Sequence, residues 1–299
     1  MQQVKAEKFS AGTLVMSRVR DYAMLFKFRL SLLVVFSSGI GYLMAVQGTI
    51  NWGAFWILVL GGFLTTAASN ALNQVIEKDF DKLMKRTANR PLPTDRMSVM
   101  EALLVAGIAG VAGISILYFE FNAYAALFSA VALLSYAFIY TPLKRFSPVA
   151  VFVGAIPGAL PVLIGWVSAT GTVTYPVLML FAIQFIWQFP HFWAIAWVGY
   201  DDYMKAGYKL LPSREGRTKA SAMQNIIYIL ALIPISLLPY FFNQTGLVSA
   251  IIVSICGLLF LYQSINLFRH CDIPSAKKLM FGSFFYLPIV QLALYFDRI

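Results

Sequence analysis

Nine long apolar runs follow one another along the chain: 30–47, 53–73, 100–118, 123–140, 148–168, 174–199, 226–242, 247–267 and 279–296. At 1.5 Å per residue, a run of roughly 18 residues crosses a hydrocarbon core of roughly 30 Å. Lipid offers no partner to a free backbone amide or carbonyl, so each run must be a helix. A soluble fold is excluded by charge. Only 12% of the 299 residues are charged, against roughly 25% in an ordinary soluble domain, and the mean hydropathy is +0.73. The expected fold is therefore an all-α membrane bundle of nine helices. Residues 1–29 form a polar segment ahead of a single domain at 30–299.

The net charge of +10 would suggest nucleic acid in a soluble protein. Here it follows the positive-inside rule. If nine spans alternate, 22 of the 23 Lys and Arg fall on one side, and only Arg298 falls on the other. The asymmetry predicts a cytoplasmic N-terminus and an external C-terminus, with no role for nucleic acid. Of the two cysteines, Cys256 lies in a span and Cys271 in an inner loop, which argues against a structural disulfide. The basic N-terminal segment has no small-residue cleavage site after its first apolar run, so no cleavable signal is expected. A bacterial inner membrane is the simplest location.

Two inner loops are long, 74–98 and 200–224. Each follows an even-numbered span and each runs from acidic to basic residues. Their offset of four spans suggests a parallel repeat of four helices with a ninth added. In the first loop, Asn73, Glu77 and Asp81 recur at i, i+4 and i+8, one face of a helix. Three oxygen donors in a row suit a hard cation such as Mg²⁺. Lys85, Arg86, Arg90 and Arg96 follow, and carboxylates beside arginines suit a metal-bridged diphosphate. The alternative is a solvated loop of ordinary mixed charge. The second loop carries Asp201 and Asp202, then Lys205, Lys209, Arg214, Glu215 and Arg217, and repeats that chemistry on the same side. In the sixth span Gln184, Gln188 and His191 make a polar stripe beside Trp187 and Trp193. Polar groups at such depth are costly and face the bundle interior. They suit proton handling or an iron porphyrin, or else hydrogen bonding between helices. Lys144 and Arg145, in a short inner loop, suit an anion or simply set topology. Gly154 and Gly158 read as close helix packing.

In chain order the motifs are Asn73-x-x-x-Glu77-x-x-x-Asp81, Met84-x-Arg86-Thr87-x-x-Arg90-Pro91-Leu92-Pro93, Tyr140-Thr-Pro-Leu-Lys144-Arg145, Trp187-Gln-x-Pro-His191-Phe192 and Asp202-Tyr203 with Ala206-Gly207-Tyr208. With them, nearly the whole chain from Phe26 resembles the UbiA superfamily of intramembrane prenyltransferases. Glu77, the Arg-Pro-Leu-Pro run and Pro-His-Phe resemble its haem-modifying branch. Phe28, Ala150 and Val162 depart from that pattern, away from the acidic motifs. The resemblance implies transfer of a farnesyl group from farnesyl diphosphate to a vinyl group of haem B, which is a substrate and not a resident cofactor. It implies Mg²⁺ on Asn73, Glu77 and Asp81, assisted by Asp201 and Asp202. Diphosphate contacts would come from Arg86, Arg90, Lys144 and Lys209, and His191, Gln188 and Trp187 would line the haem pocket. The product, haem O, would pass to haem A synthase or a terminal oxidase. Two other readings remain: a prenyltransferase acting on an aromatic quinone precursor, and a transporter.

Overall fold

The computed structural model describes residues 11–213 and 215–299. The first ten residues of the N-terminal segment, and Arg214 of the second long loop, lie outside the described residues. In chain order the elements are α1 (Ala11–Leu25), α2 (Phe28–Ala45), α3 (Trp52–Ile76), α4 (Lys78–Asp81), α5 (Val99–Glu120), α6 (Ala123–Leu134), a π-helical turn (Ser135–Tyr140), α7 (Thr141–Leu143), α8 (Ala150–Thr170), α9 (Tyr175–Val198), α10 (Tyr200–Lys205), α11 (Lys219–Phe241), α12 (Leu247–His270) and α13 (Ile273–Phe296). Among the described residues nine helices are long and apolar enough to cross a bilayer, with 123–143 counting as one. The described residues contain no strand, only an isolated bridge between Thr245 and Arg298.

Capping residues set helix starts that hydropathy alone misplaces. Asn51, Ser98 and Asn122 accept the amides of Ala54, Glu101 and Ala125 at 2.9–3.0 Å, each filling an orphan donor of the first turn. Asp272 does the same for Ser275 at 2.9 Å, with proline in the first turn. The ninth span therefore begins at Ile273, ahead of Lys277 and Lys278, and not at 279. Thr218 likewise opens α11 at Lys219, ahead of the expected 226. The N-terminal segment also holds structure that its polarity hides. α1 is pinned by Gln74, which donates to the carbonyls of Met24 and Leu25. An Arg96–Asp21 ion pair at 3.0 Å and a bond from Tyr22 to Glu101 complete the attachment.

The order of neighbours repeats along the chain. α2 packs on α3, α3 on α5, and α5 on α6; α8 then packs on α9, α9 on α11, and α11 on α12. α13 packs on α12, α9 and α2 and closes the bundle. α8 is the innermost span, lying against α2, α6 and α9. Its approach to α2 leaves no room for a side chain. A Cβ on Gly165 would run into the Ser38 carbonyl, and one on Gly41 into the Val162 carbonyl. Small residues let two backbones meet in this way. Outward, Leu104, Ile108 and Val111 of α5 and Ile255, Leu258 and Leu259 of α12 are exposed, as helices bathed in lipid require. The two long loops meet at one end of the bundle, where Met84 and Arg86 of the first and Tyr203 and Tyr208 of the second line one cavity.

Candidate functional site at the loop end of the bundle

The site is built where α3 ends. The expected uninterrupted helix through Asn73, Glu77 and Asp81 is not what forms: Glu77, with φ −94° and ψ 3°, separates α3 from α4. The chain still turns. The Glu77 amide bonds the Asn73 carbonyl at 3.0 Å and the Asp81 amide bonds the Glu77 carbonyl at 2.8 Å. All three side chains therefore line the same cavity of about 160 Å³, together with Lys27, Arg86, Arg90 and Lys144.

Each oxygen donor already has a cationic partner. The Asn73 amide oxygen accepts Lys27 at 3.0 Å, while its nitrogen donates to the Thr141 hydroxyl. Glu77 pairs with Lys144, and both are buried. Asp81, fully buried, accepts Arg90 at 2.6 Å through Oδ2, and its Oδ1 is buried without a partner. Burial pushes the Glu77 carboxyl up, but Lys144 and Lys27 outweigh it and hold the group below its usual range. For Asp81 burial wins over the attraction of Arg90, and the carboxyl lies above its usual range. Burial, aided by Arg90, pulls the Lys27 ammonium down to about 7 against the attraction of Glu77. Lys27 also sits in left-handed backbone, φ 45°, at the joint between α1 and α2. Non-glycine residues are uncommon there, and such strain concentrates at functional positions.

Four tyrosines, Tyr136, Tyr140, Tyr203 and Tyr208, complete the lining. Tyr136 and Tyr140 come from the π-helical turn, their rings 5.2 Å apart. The turn has a local cause. Pro142 has no amide to offer the Phe138 carbonyl, and just before it the amide and hydroxyl of Thr141 both reach back five residues to the Tyr136 carbonyl. Gly154 is the floor under Tyr140, since a Cβ there would lie 2.6 Å from the ring. Lys144 lies 4.9 Å from the Tyr140 ring centre and 5.4 Å from that of Tyr208. Lys27, Tyr136 and Tyr208 escape a search for acidic motifs. The signal for Tyr136 was its spacing of four from Tyr140 ahead of a proline.

The second loop contributes differently from expectation. Asp201 is exposed and pairs with Arg217 at 3.2 Å; Asp202 pairs with Lys205 at 3.0 Å. Neither lines the cavity. Lys205, with backbone groups of Arg86 and Lys85, holds the Asp202 carboxyl below its usual range, which ties α10 to the first loop. The Lys209 side chain is exposed, and its backbone amide donates to the Lys144 carbonyl at 2.7 Å. It braces Lys144 from behind. What the second loop gives the cavity is Tyr203, 3.5 Å from Arg86 through its hydroxyl, with Tyr208 and Leu210.

The polar stripe of α9 divides in two. Gln188 donates to the carbonyls of Ala155 and Gln184, and Gln184 donates to that of Gly158. Both amides fasten α9 to α8, and Gln188 is buried with no open face for a ligand. Trp187 and His191 instead face α13. The indole donates to the Ser283 carbonyl at 3.0 Å, and His191 Nδ1 meets the Ser283 hydroxyl at 2.8 Å. The two rings stack with centres 4.4 Å apart, and both are only part-buried.

Among the described residues no three His, Cys, Asp or Glu side chains gather closely enough to hold an ion. Two carboxylates and one amide share the cavity, and the buried Asp81 Oδ1 lacks a partner. This all-oxygen set fits Mg²⁺, which is bound through one or two carboxylates plus substrate phosphates and not by a complete protein cage.

The family model for UbiA prenyltransferases matches residues 33–287. A protoheme IX farnesyltransferase of Cytophaga hutchinsonii is 48% identical over 95% of this chain and 99% of its own length. Among solved structures, a digeranylgeranylglyceryl phosphate synthase aligns with a TM-score of 0.79 at 21% identity, over 94% of this chain and 98% of its own. A UbiA homologue from Archaeoglobus fulgidus, bound to GPP and Mg²⁺, aligns with a TM-score of 0.73 at 16% identity, over 92% and 99%. These likenesses extend over the helices and loops that build the cavity, and the chain belongs to the UbiA prenyltransferase family.

Proposed function

We propose that this chain transfers a farnesyl group from farnesyl diphosphate to a vinyl carbon of haem B, yielding haem O and diphosphate. The observation that carries the reading is the cluster of Asn73, Glu77, Asp81, Lys27, Arg90 and Lys144 that lines one tyrosine-walled cavity. A relative named for this reaction, 48% identical across 95% of the chain, supports the choice of substrates. The membrane bundle, 30–299, acts as one domain, with the cavity facing the cytoplasm of a bacterial inner membrane.

Asn73, Glu77 and Asp81 would hold Mg²⁺, which when bound neutralises charge on the leaving diphosphate. Lys144 and Arg90, now spent on carboxylates, turn to phosphate oxygens, and Arg86 closes the rim. Preorganised cations of this kind stabilise charge as it develops. The C1–O bond of farnesyl diphosphate breaks and diphosphate departs with the electron pair. The rings of Tyr136, Tyr140, Tyr203 and Tyr208 surround the allylic cation and stabilise it by cation–π contact. The vinyl carbon of haem then bonds to C1, and water adds to the neighbouring carbon with loss of a proton. Trp187 and His191, on the α9–α13 face, receive the porphyrin. Asp202 fixes the second loop against the first, Lys209 ties it to Lys144, and Asp201 braces it internally through Arg217. The product suits consumption by haem A synthase or a terminal oxidase.

Incubation of the protein in nanodiscs with haem B, farnesyl diphosphate and Mg²⁺, followed by mass analysis of the porphyrin, tests the reading. A hydroxyethylfarnesyl porphyrin formed only with metal present is expected. Unmodified haem beside a prenylated quinone precursor, offered in the same vessel, would refute it.

A further inference from the structure

The one basic residue that breaks the charge asymmetry, Arg298, stands at the opposite end of the bundle in a larger cavity. That cavity measures about 790 Å³ and is framed by the ends of α2, α8, α9 and α11. The volume lies within the roughly 300–1,000 Å³ of small-molecule sites. Its wall is mixed. Met44, Val46, Met179 and Leu180 supply apolar surface, while Thr170, Thr172 and Gln244 supply hydroxyls and an amide. Arg298 is the only charged side chain in the lining, and it takes part in none of the ion pairs among the described residues. The carboxylate beside it, Asp297, is used elsewhere and accepts the Ser249 amide at 2.6 Å.

The guanidinium is held in place. It donates to the Leu43 carbonyl at the end of α2 and lies 4.8 Å from the centre of the Tyr295 ring. Its remaining donors have no acidic side-chain partner among the described residues. Two further lining residues carry donors left over: the indole nitrogen of Trp166, a residue more than nine-tenths buried, and the Thr174 hydroxyl. Buried donors without partners are rare in native proteins and call for a ligand or water. An arginine that escapes the positive-inside pattern, is fixed by its own neighbours and pairs with no acidic side chain among the described residues presents an anion site above an apolar slot.

We propose that this cavity is a second ligand site, taking an amphiphile whose carboxylate or phosphate head meets Arg298 and whose apolar body lies against Met44, Met179 and Leu180. It is separate from the diphosphate cavity, shares no residue with it, and does not depend on the reaction proposed above. Two sources have the required chemistry: a porphyrin with propionate groups, and an anionic phospholipid from the surrounding leaflet.

The test uses the full chain in nanodiscs of phosphatidylcholine, with four probes: zinc protoporphyrin, its dimethyl ester, phosphatidylglycerol and phosphatidylcholine. Porphyrin binding is read by fluorescence and lipid binding by native mass spectrometry. Wild type is expected to prefer one anionic probe over its neutral counterpart by about tenfold. Arg298→Gln should erase that preference while Arg298→Lys keeps most of it. Ala169→Phe, which fills the cavity from a lining position and leaves the charge intact, should weaken the same probe. Preference for zinc protoporphyrin assigns the site to a porphyrin; preference for phosphatidylglycerol assigns it to lipid. Equal binding of charged and neutral probes by wild type, or an anionic preference that survives Arg298→Gln in a variant of unchanged thermal stability, would overturn the proposal.

Discussion

Replacing Asp81 by Asn removes a charge from a fully buried position while keeping the side chain's shape. The partner left behind is Arg90, whose side chain is 14% exposed and bonded to Asp81 at 2.6 Å. Removing one member of a buried pair costs about 3–5 kcal/mol, most of it from the stranded charge. At about 2 °C per kcal/mol for a chain of this size, that predicts a fall in Tm of roughly 6–10 °C. Part of the cost is already discounted, because burial raises the Asp81 carboxyl and the native carboxylate is itself held against desolvation. The informative comparison is therefore a double-mutant cycle of Asp81→Asn, Arg90→Gln and both together, followed by thermal unfolding in one detergent. The double variant should be more stable than the sum of the two single losses by at least about 1 kcal/mol, as contacting residues couple. Farnesyl transfer should be lost in Asp81→Asn and should not return in the double variant. Additive losses in the cycle would show that the pair is not coupled. Restored activity in the double variant would show that Asp81 serves only to neutralise Arg90, and both the metal assignment and the phosphate contact of Arg90 would fail with it.

Lys27 supplies a pH signature. Its pKa of about 7 lies below the 10.5 of a free lysine, so between those values the unfolded chain binds a proton that the folded chain lacks. Stability from this group therefore rises with pH over that window and is lost as pH falls through it. An incoming diphosphate favours the ammonium, so affinity for farnesyl diphosphate should fall as pH rises through 7, by up to about tenfold per unit for this single proton. Lys27→Arg should flatten that slope, and an unchanged slope removes Lys27 from the diphosphate site. Gly165→Ala drives a methyl group into the Ser38 carbonyl and should cost about 1–3 kcal/mol in thermal stability; a neutral result would mean that α2 and α8 part easily. His191→Ala should weaken haem binding and leave farnesyl diphosphate binding nearly intact, whereas equal losses in both titrations would make His191 a packing residue. Single cysteines at the exposed positions 85 and 209, in a background lacking Cys256 and Cys271, should label only from the cytoplasm, and labelling from outside would invert the proposed topology.

The bundle was legible because apolar runs of sufficient length leave the backbone no other choice in lipid. Helix starts such as Ile273 and Lys219 are not legible in hydropathy, because hydrogen-bonding caps decide them and nearby charge hides them. The first acidic loop was legible as a donor row, yet its partners were not. Pairing of Glu77 with Lys144 joins positions 67 residues apart, and nothing local in the sequence specifies it. Asp201 and Asp202 look like a second copy of the first motif in composition. They pair with Arg217 and Lys205, outside the cavity, because loop geometry and not residue type chooses partners. Gln188 shows the same limit on α9, where a stripe at helical spacing fixes which face is buried but not whether a ligand or a neighbouring helix fills it.

The amide of Gln291 on α13 donates to Ser37 on α2 and to Gln184 on α9, each at 3.1 Å. The ribosome makes these three residues in the order Ser37, Gln184, Gln291, with most of the chain between the first and the last. Until α13 inserts, the hydroxyl and amide of the earlier helices stand in the bilayer without their mutual partner. The bundle is thus a ring that only its ninth helix can fasten, and assembly has a definite finishing step. Chains stalled before α13 leave the Ser37 hydroxyl and the Gln184 amide oxygen without the Gln291 amide, and polar groups at membrane depth are costly.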